Sequence, residues 1–124
     1  MKYIFFLLIF SLFGCKSLSS SKEMIREYIS LGHEFEDILI SNKSSNFISQ
    51  VNFKIEGNIT GKAVIILYHP PFAQRPRGAK IKINIEGRIN EIITDEWYDK
   101  ECLIHFIPED ASVNGKIKIS YKVF

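Results

Sequence analysis

Strict alternation of isoleucine with polar side chains is the feature that most constrains this chain. Ile81, Ile83 and Ile85 alternate with Lys80, Lys82, Asn84 and Glu86. Ile117, Ile119, Tyr121 and Val123 alternate with Lys116, Lys118, Ser120 and Lys122, and Val51, Phe53 and Ile55 with Asn52, Lys54 and Glu56. A period of two places one set of side chains in a core and the other in water only if the backbone is extended. Ala63–Tyr68 (AVIILY) and Cys102–Ile107 (CLIHFI) are apolar at nearly every position and read as central strands.

Aliphatic usage agrees. After Cys15 the chain has nineteen isoleucines, five leucines and four alanines. Isoleucine is stiff at χ1 and fits a pleated surface, whereas leucine and alanine, the strong helix formers, are scarce. Gly57-Asn58, Gly61, Gly87 and Asn114-Gly115 punctuate the runs. The expected strands are 25–31, 35–41, 47–57, 62–69, 80–87, 88–94, 101–107 and 115–124, with a bulge or bend at Gly87. Met24, Ile25, Tyr28, Ile29 and Leu31 also fit a short amphipathic helix. Seven or eight short strands without a long helix indicate an all-β, antiparallel sandwich of immunoglobulin-like type over residues 24–124. A membrane barrel fits less well: the wet faces are dense in Lys and Glu, and most strands are shorter than the ~9–11 residues a bilayer requires.

Residues 3–13, YIFFLLIFSLF, form an apolar run after Lys2. As a helix it would span roughly 16 Å of the ~30 Å hydrocarbon layer, too short to cross but suited to the apolar region of a secretory signal. Leu12-Phe13-Gly14-Cys15 resembles the lipobox of bacterial lipoproteins. That resemblance implies a signal peptide over residues 1–14, attachment of a diacylglyceryl group to Cys15, and a mature chain that begins there. Residues 15–23 then serve as a Ser-rich tether. Several acyl chains on one cysteine would hold the protein to a bilayer. Lys16, in place of a retaining acidic residue, implies the outer membrane facing the periplasm. Trp97-Tyr98, Cys102, Pro108 and a final strand led by Gly115 also resemble the C-terminal portion of small uncharacterised lipoproteins. The Ile-, Lys-, Asn- and Phe-rich composition has the look of a Bacteroidota-type genome.

Sixteen basic and fourteen acidic residues give a net charge of +2. Neither sign dominates enough to steer a polyanion, so nucleic acid is not an expected partner. Two cysteines, one reserved for lipid, exclude a disulfide framework and a four-thiolate zinc site. No phosphate loop, dinucleotide fingerprint, metalloprotease motif or nucleophile elbow occurs. No catalytic residue, cofactor or metal is expected.

Two segments are candidates for partner binding. The first is His69–Gly78, HPPFAQRPRG, longer than the two to five residues usual in a hairpin. Its three prolines lower the entropy lost on ordering, Phe72 is an apolar anchor, and Arg75 and Arg77 supply planar donors. The plainer reading folds Phe72 onto the core. The second is Asp95–Glu101, where Trp97 and Tyr98 among carboxylates could stack on a sugar. The plainer reading makes Trp97, the only tryptophan, a core anchor. The two loops, one basic and one acidic, could instead pair with each other. His33, Glu34, Glu36 and Asp37 are read as a charged edge rather than metal ligands. His105 is read as a core histidine with one satisfied nitrogen, and Cys102 as a small buried hydrophobe facing the other way. The expected function is a membrane-anchored, non-catalytic binding or structural module engaging an envelope protein or polysaccharide. The alternatives are a periplasmic inhibitor of a secreted toxin or hydrolase, and a carbohydrate-binding accessory protein.

Overall fold

A computed structural model describes residues 22–45, 47–73 and 78–124. The expected positions Cys15, Arg75 and Arg77 lie outside the described residues. Within them the chain is all-β and antiparallel, as the alternation requires. Six strands form: β1 (Met24–Tyr28), β2 (Phe35–Ile40), β3 (Gln50–Tyr68), β4 (Ile81–Glu96), β5 (Glu101–Pro108) and β6 (Asn114–Val123). The ambiguous first segment is a strand, β1, not a helix.

The runs expected at 47–57 and 62–69 are one continuous strand, and so are 80–87 and 88–94. The reason is backbone geometry at glycine. Gly57, Gly61 and Gly87 all have positive φ, at 154°, 82° and 61°. Between Ile59 and Lys62 the β3–β4 register slips, so the hairpin bulges there and bends while its pairing continues on both sides. The glycines therefore mark a fold in a ribbon rather than a turn that ends it.

That fold makes the two layers. The first half of β3 (51–60) pairs with β6, which in turn pairs with β1. The second half (63–68) pairs with β5, which pairs with β2. β4 follows β3 through both halves. One layer is thus β1–β6–β3–β4 and the other β2–β5–β3–β4, and counting the halves separately gives eight runs.

Inward side chains from both layers share one core, with Phe53, Ile55, Ile119 and Tyr121 from the first and Ile65, Leu67, Ile104 and Phe106 from the second. Each such aliphatic or aromatic side chain contributes about 1.5–3 kcal/mol when fully buried. The outer edges, β1 and β2, also meet. The Tyr28 hydroxyl donates to Asp37 Oδ2 at 2.7 Å, Arg26 lies 3.8 Å from the same oxygen, and the Tyr28 and Phe35 rings are 5.0 Å apart. The sheet is nearly closed on itself.

Candidate functional site

Folding the hairpin in half returns its tip to its base. The tip is the β3–β4 loop that starts at His69, and the base is the β4–β5 turn at Trp97 and Tyr98. The His69 ring meets the Trp97 indole edge-on at 4.8 Å. Tyr98 N–H donates to His69 Nε2 at 3.1 Å, and His69 Nδ1 donates to the Pro70 carbonyl at 2.7 Å. A backbone N–H can only donate and a carbonyl can only accept, so these two bonds specify the neutral tautomer protonated at Nδ1. The two candidate loops therefore do come together, through His69.

Trp97 is fully buried. Its ring packs edge-on against Phe53 at 5.6 Å, and its Nε1–H donates to the Glu101 carbonyl at 3.0 Å. As a surface for a partner Trp97 is thus corrected to a core anchor. A lone indole stabilises a small core most when it is wholly desolvated and its N–H finds an acceptor. Tyr98, next to it, points the other way and is 62% exposed, its hydroxyl donating to Glu96 Oε2 at 3.0 Å. Phe72 is half-buried. Of the five side chains expected to bind a partner, only Tyr98 is displayed openly among the described residues.

The remaining chemistry-bearing groups are engaged. His105 Nε2 lies 2.5 Å from Glu34 Oε1, and its ring stacks on Tyr68. It sits on the outer face of the second layer, not in the core. Cys102 faces inward, and burial pushes its thiol well above the ordinary cysteine range. Asp37 is held by Tyr28 and Arg26. Among the described residues no three His, Cys, Asp or Glu side chains converge as metal ligands would.

The larger surface feature is one that motif reading passed over. Directly paired residues share a face, so the registers sort each layer into inside and outside. Outside the second layer lie Ile38 on β2, Leu103 and Ile107 on β5, and Val64, Ile66 and Tyr68 on β3. Ile38 is 43% exposed and Ile40, at the end of β2, is 53% exposed. Outside the first layer lie Lys54, Glu56, Lys116, Lys118 and Lys122, with the exposed Ile25 and Ile92 among them. The second outer face is the more apolar of the two, with Glu36 and His105 paired within it. The signal was in the sequence: AVIILY and CLIHFI are apolar on both faces, and a two-layer fold can bury only one of them.

No family profile and no curated protein matches the sequence. Likeness is found among solved structures. The periplasmic inhibitor of g-type lysozyme from Aeromonas hydrophila superposes with a TM-score of 0.50 at 13% identity, over 86% of this chain and 88% of that one. A subunit of the disulfide-linked Bacillus endospore appendages gives 0.48 at 10% identity, over 85% and 88%. The Yersinia pseudotuberculosis-derived mitogen gives 0.47 at 8% identity, over 86% and 87%. At such identities the first of these shows a shared β-fold and no more.

Proposed function

We propose that this protein is a non-catalytic binding module of a bacterial envelope. In this reading acylated Cys15 holds it to the outer membrane on the periplasmic side, and it engages a protein partner with the outer face of its second layer. One observation carries the reading: Ile38, Val64, Ile66, Tyr68 and Ile107, all at least partly exposed, share that face around the buried Leu103, opposite a lysine-rich one. Apolar side chains gathered on one sheet face, ringed by Glu36, Lys82 and Glu86, have the make-up of a protein-binding patch with a polar rim.

The test uses the full chain, purified with its lipid, as bait against detergent-solubilised envelope. Ile38→Lys and Ile66→Lys put charge at the centre of the patch and leave the core untouched. Loss of a partner that wild type retains, with the circular dichroism unchanged, is the expected result. Equal capture by both variants would overturn the reading.

A second reading is a periplasmic inhibitor. It is favoured by the fold shared with the Aeromonas hydrophila protein, which inhibits g-type lysozyme. Lysis assays with purified lysozymes, with and without this protein, separate it from the first. Carbohydrate binding is the weaker alternative, because Trp97 supplies no exposed ring.

A further inference from the structure

Three exposed aromatic side chains stand at one end of the sandwich, and the chain leading from Cys15 enters the fold at that same end. Phe47 is 79% exposed, Tyr98 62% and Phe124 46%; the other large apolar side chains exposed among the described residues are all isoleucines, on the strand faces and in the β1–β2 turn. Backbone hydrogen bonds tie the three aromatic segments together. Trp97 N–H donates to the Ser49 carbonyl, Ser49 N–H to the Phe124 carbonyl, and Ser41 N–H to the Lys100 carbonyl. Lys22, the first described residue, donates its N–H to Asn42 Oδ1 at 3.2 Å, in the loop that carries Phe47.

From this arrangement, and resting on the lipid-anchor reading, we infer that the Phe47–Tyr98–Phe124 end docks on the bilayer surface. Lys22 is seven residues after Cys15, so even a fully extended tether reaches only about 25 Å. The entry end of the domain is therefore held at the headgroups. Phenylalanine and tyrosine rings are the side chains that partition into that interfacial zone. Lys43 donates to the Phe47 carbonyl at 2.8 Å, and Lys122 lies over the Phe124 ring at 5.1 Å, so cations stand beside two of the three rings. Glu23, next to Lys22, and Asp95, Glu96, Asp99 and Glu101, next to Gln50, Trp97 and Ile40, lie at the same end. The mixed charge makes the rings, rather than attraction to anionic lipid, the source of the docking. It also leaves the apolar outer face of the second layer pointing sideways, clear of the membrane.

The test is paramagnetic relaxation in phosphatidylcholine bicelles containing a gadolinium-labelled headgroup, on the full chain carrying its lipid. Amide signals around Phe47, Tyr98 and Phe124 broaden first. Gly87, ten residues back along β4 and roughly 33 Å away, broadens at least about tenfold less. In Phe47→Ser/Tyr98→Ser the gradient between the two ends weakens while the lipid adduct stays in the intact mass. A lipidated protein with equal broadening at both ends overturns the docking and leaves the anchor standing. An intact mass without lipid overturns the anchor and the docking together.

Discussion

Tyr98 N–H donates to His69 Nε2 across 29 positions of chain, and with this bond the tip of a long hairpin is fastened to its own base. The edge-on packing of the His69 ring on Trp97 accompanies it. An aromatic pair of this kind contributes about 0.5–1.5 kcal/mol and a hydrogen bond a similar amount. His69→Ala is expected to lower stability by about 1–2 kcal/mol in urea titration. Nitrogen-15 NMR of wild type is expected to show Nδ1 protonated and Nε2 bare; the reverse pattern contradicts the geometry.

Two glycines set how closely β3 and β6 approach. A Cβ at Gly57 would meet the Lys116 carbonyl oxygen at 2.1 Å, and one at Gly115 would meet that of Asn58 at 2.2 Å. Both neighbours are backbone in the same ladder and neither can swing aside. Gly57→Ala and Gly115→Ala are each expected to cost well over ~2 kcal/mol, enough to lower soluble yield. Gly78→Ala, which meets nothing within 4 Å, is the matched control and leaves the thermal midpoint unchanged.

Closure of the β1–β2 seam depends on Tyr28 and Asp37. Tyr28→Phe removes the donor and Asp37→Asn weakens the acceptor. A double-mutant cycle is expected to return a coupling of about 1 kcal/mol, reduced by the partial exposure of the pair. A coupling of zero would show that the ring contact between Tyr28 and Phe35 closes the seam without the hydroxyl.

Burial pushes the phenols of Tyr28 and Tyr121 far above the ordinary tyrosine range, and for Tyr28 the Asp37 carboxylate adds to this. In the unfolded chain both ionise near pH 10. The folded state then binds more protons, so the stabilisation is complete below about pH 10 and is lost as pH rises beyond it. The urea midpoint is expected to hold between pH ~7 and ~9 and to fall steeply above ~10, and less steeply in Tyr121→Phe. A midpoint independent of alkaline pH contradicts the burial of these phenols.

The strands were legible because apolar side chains, mostly isoleucine, alternate with polar ones over 51–56, 80–86 and 116–123, and a period of two admits one backbone. The ends of the expected runs fell close to the true bend, since Gly57, Gly61 and Gly87 stand where the ribbon folds. Sequence alone does not distinguish a turn that ends a strand from a bulge that redirects it, because both use glycine at positive φ. Trp97 as core and Cys102 as a small buried hydrophobe followed from residue type. The outer apolar face did not, because knowing which of two apolar faces is left over requires the order of strands. His69 was passed over for a like reason: its partners come from the far end of a hairpin, and no local pattern announces them.

The ribbon of β3 and β4 belongs to both layers at once. Neither layer has edges of its own that could close without the other, so there is no half-domain to survive a local failure. Unfolding from the end that carries Phe47, Tyr98 and Phe124 or from the flank is expected to run through the Gly57–Gly61 crease and take the whole molecule in a single step. A load applied to one layer is carried into the other along covalent backbone rather than across side-chain contacts alone.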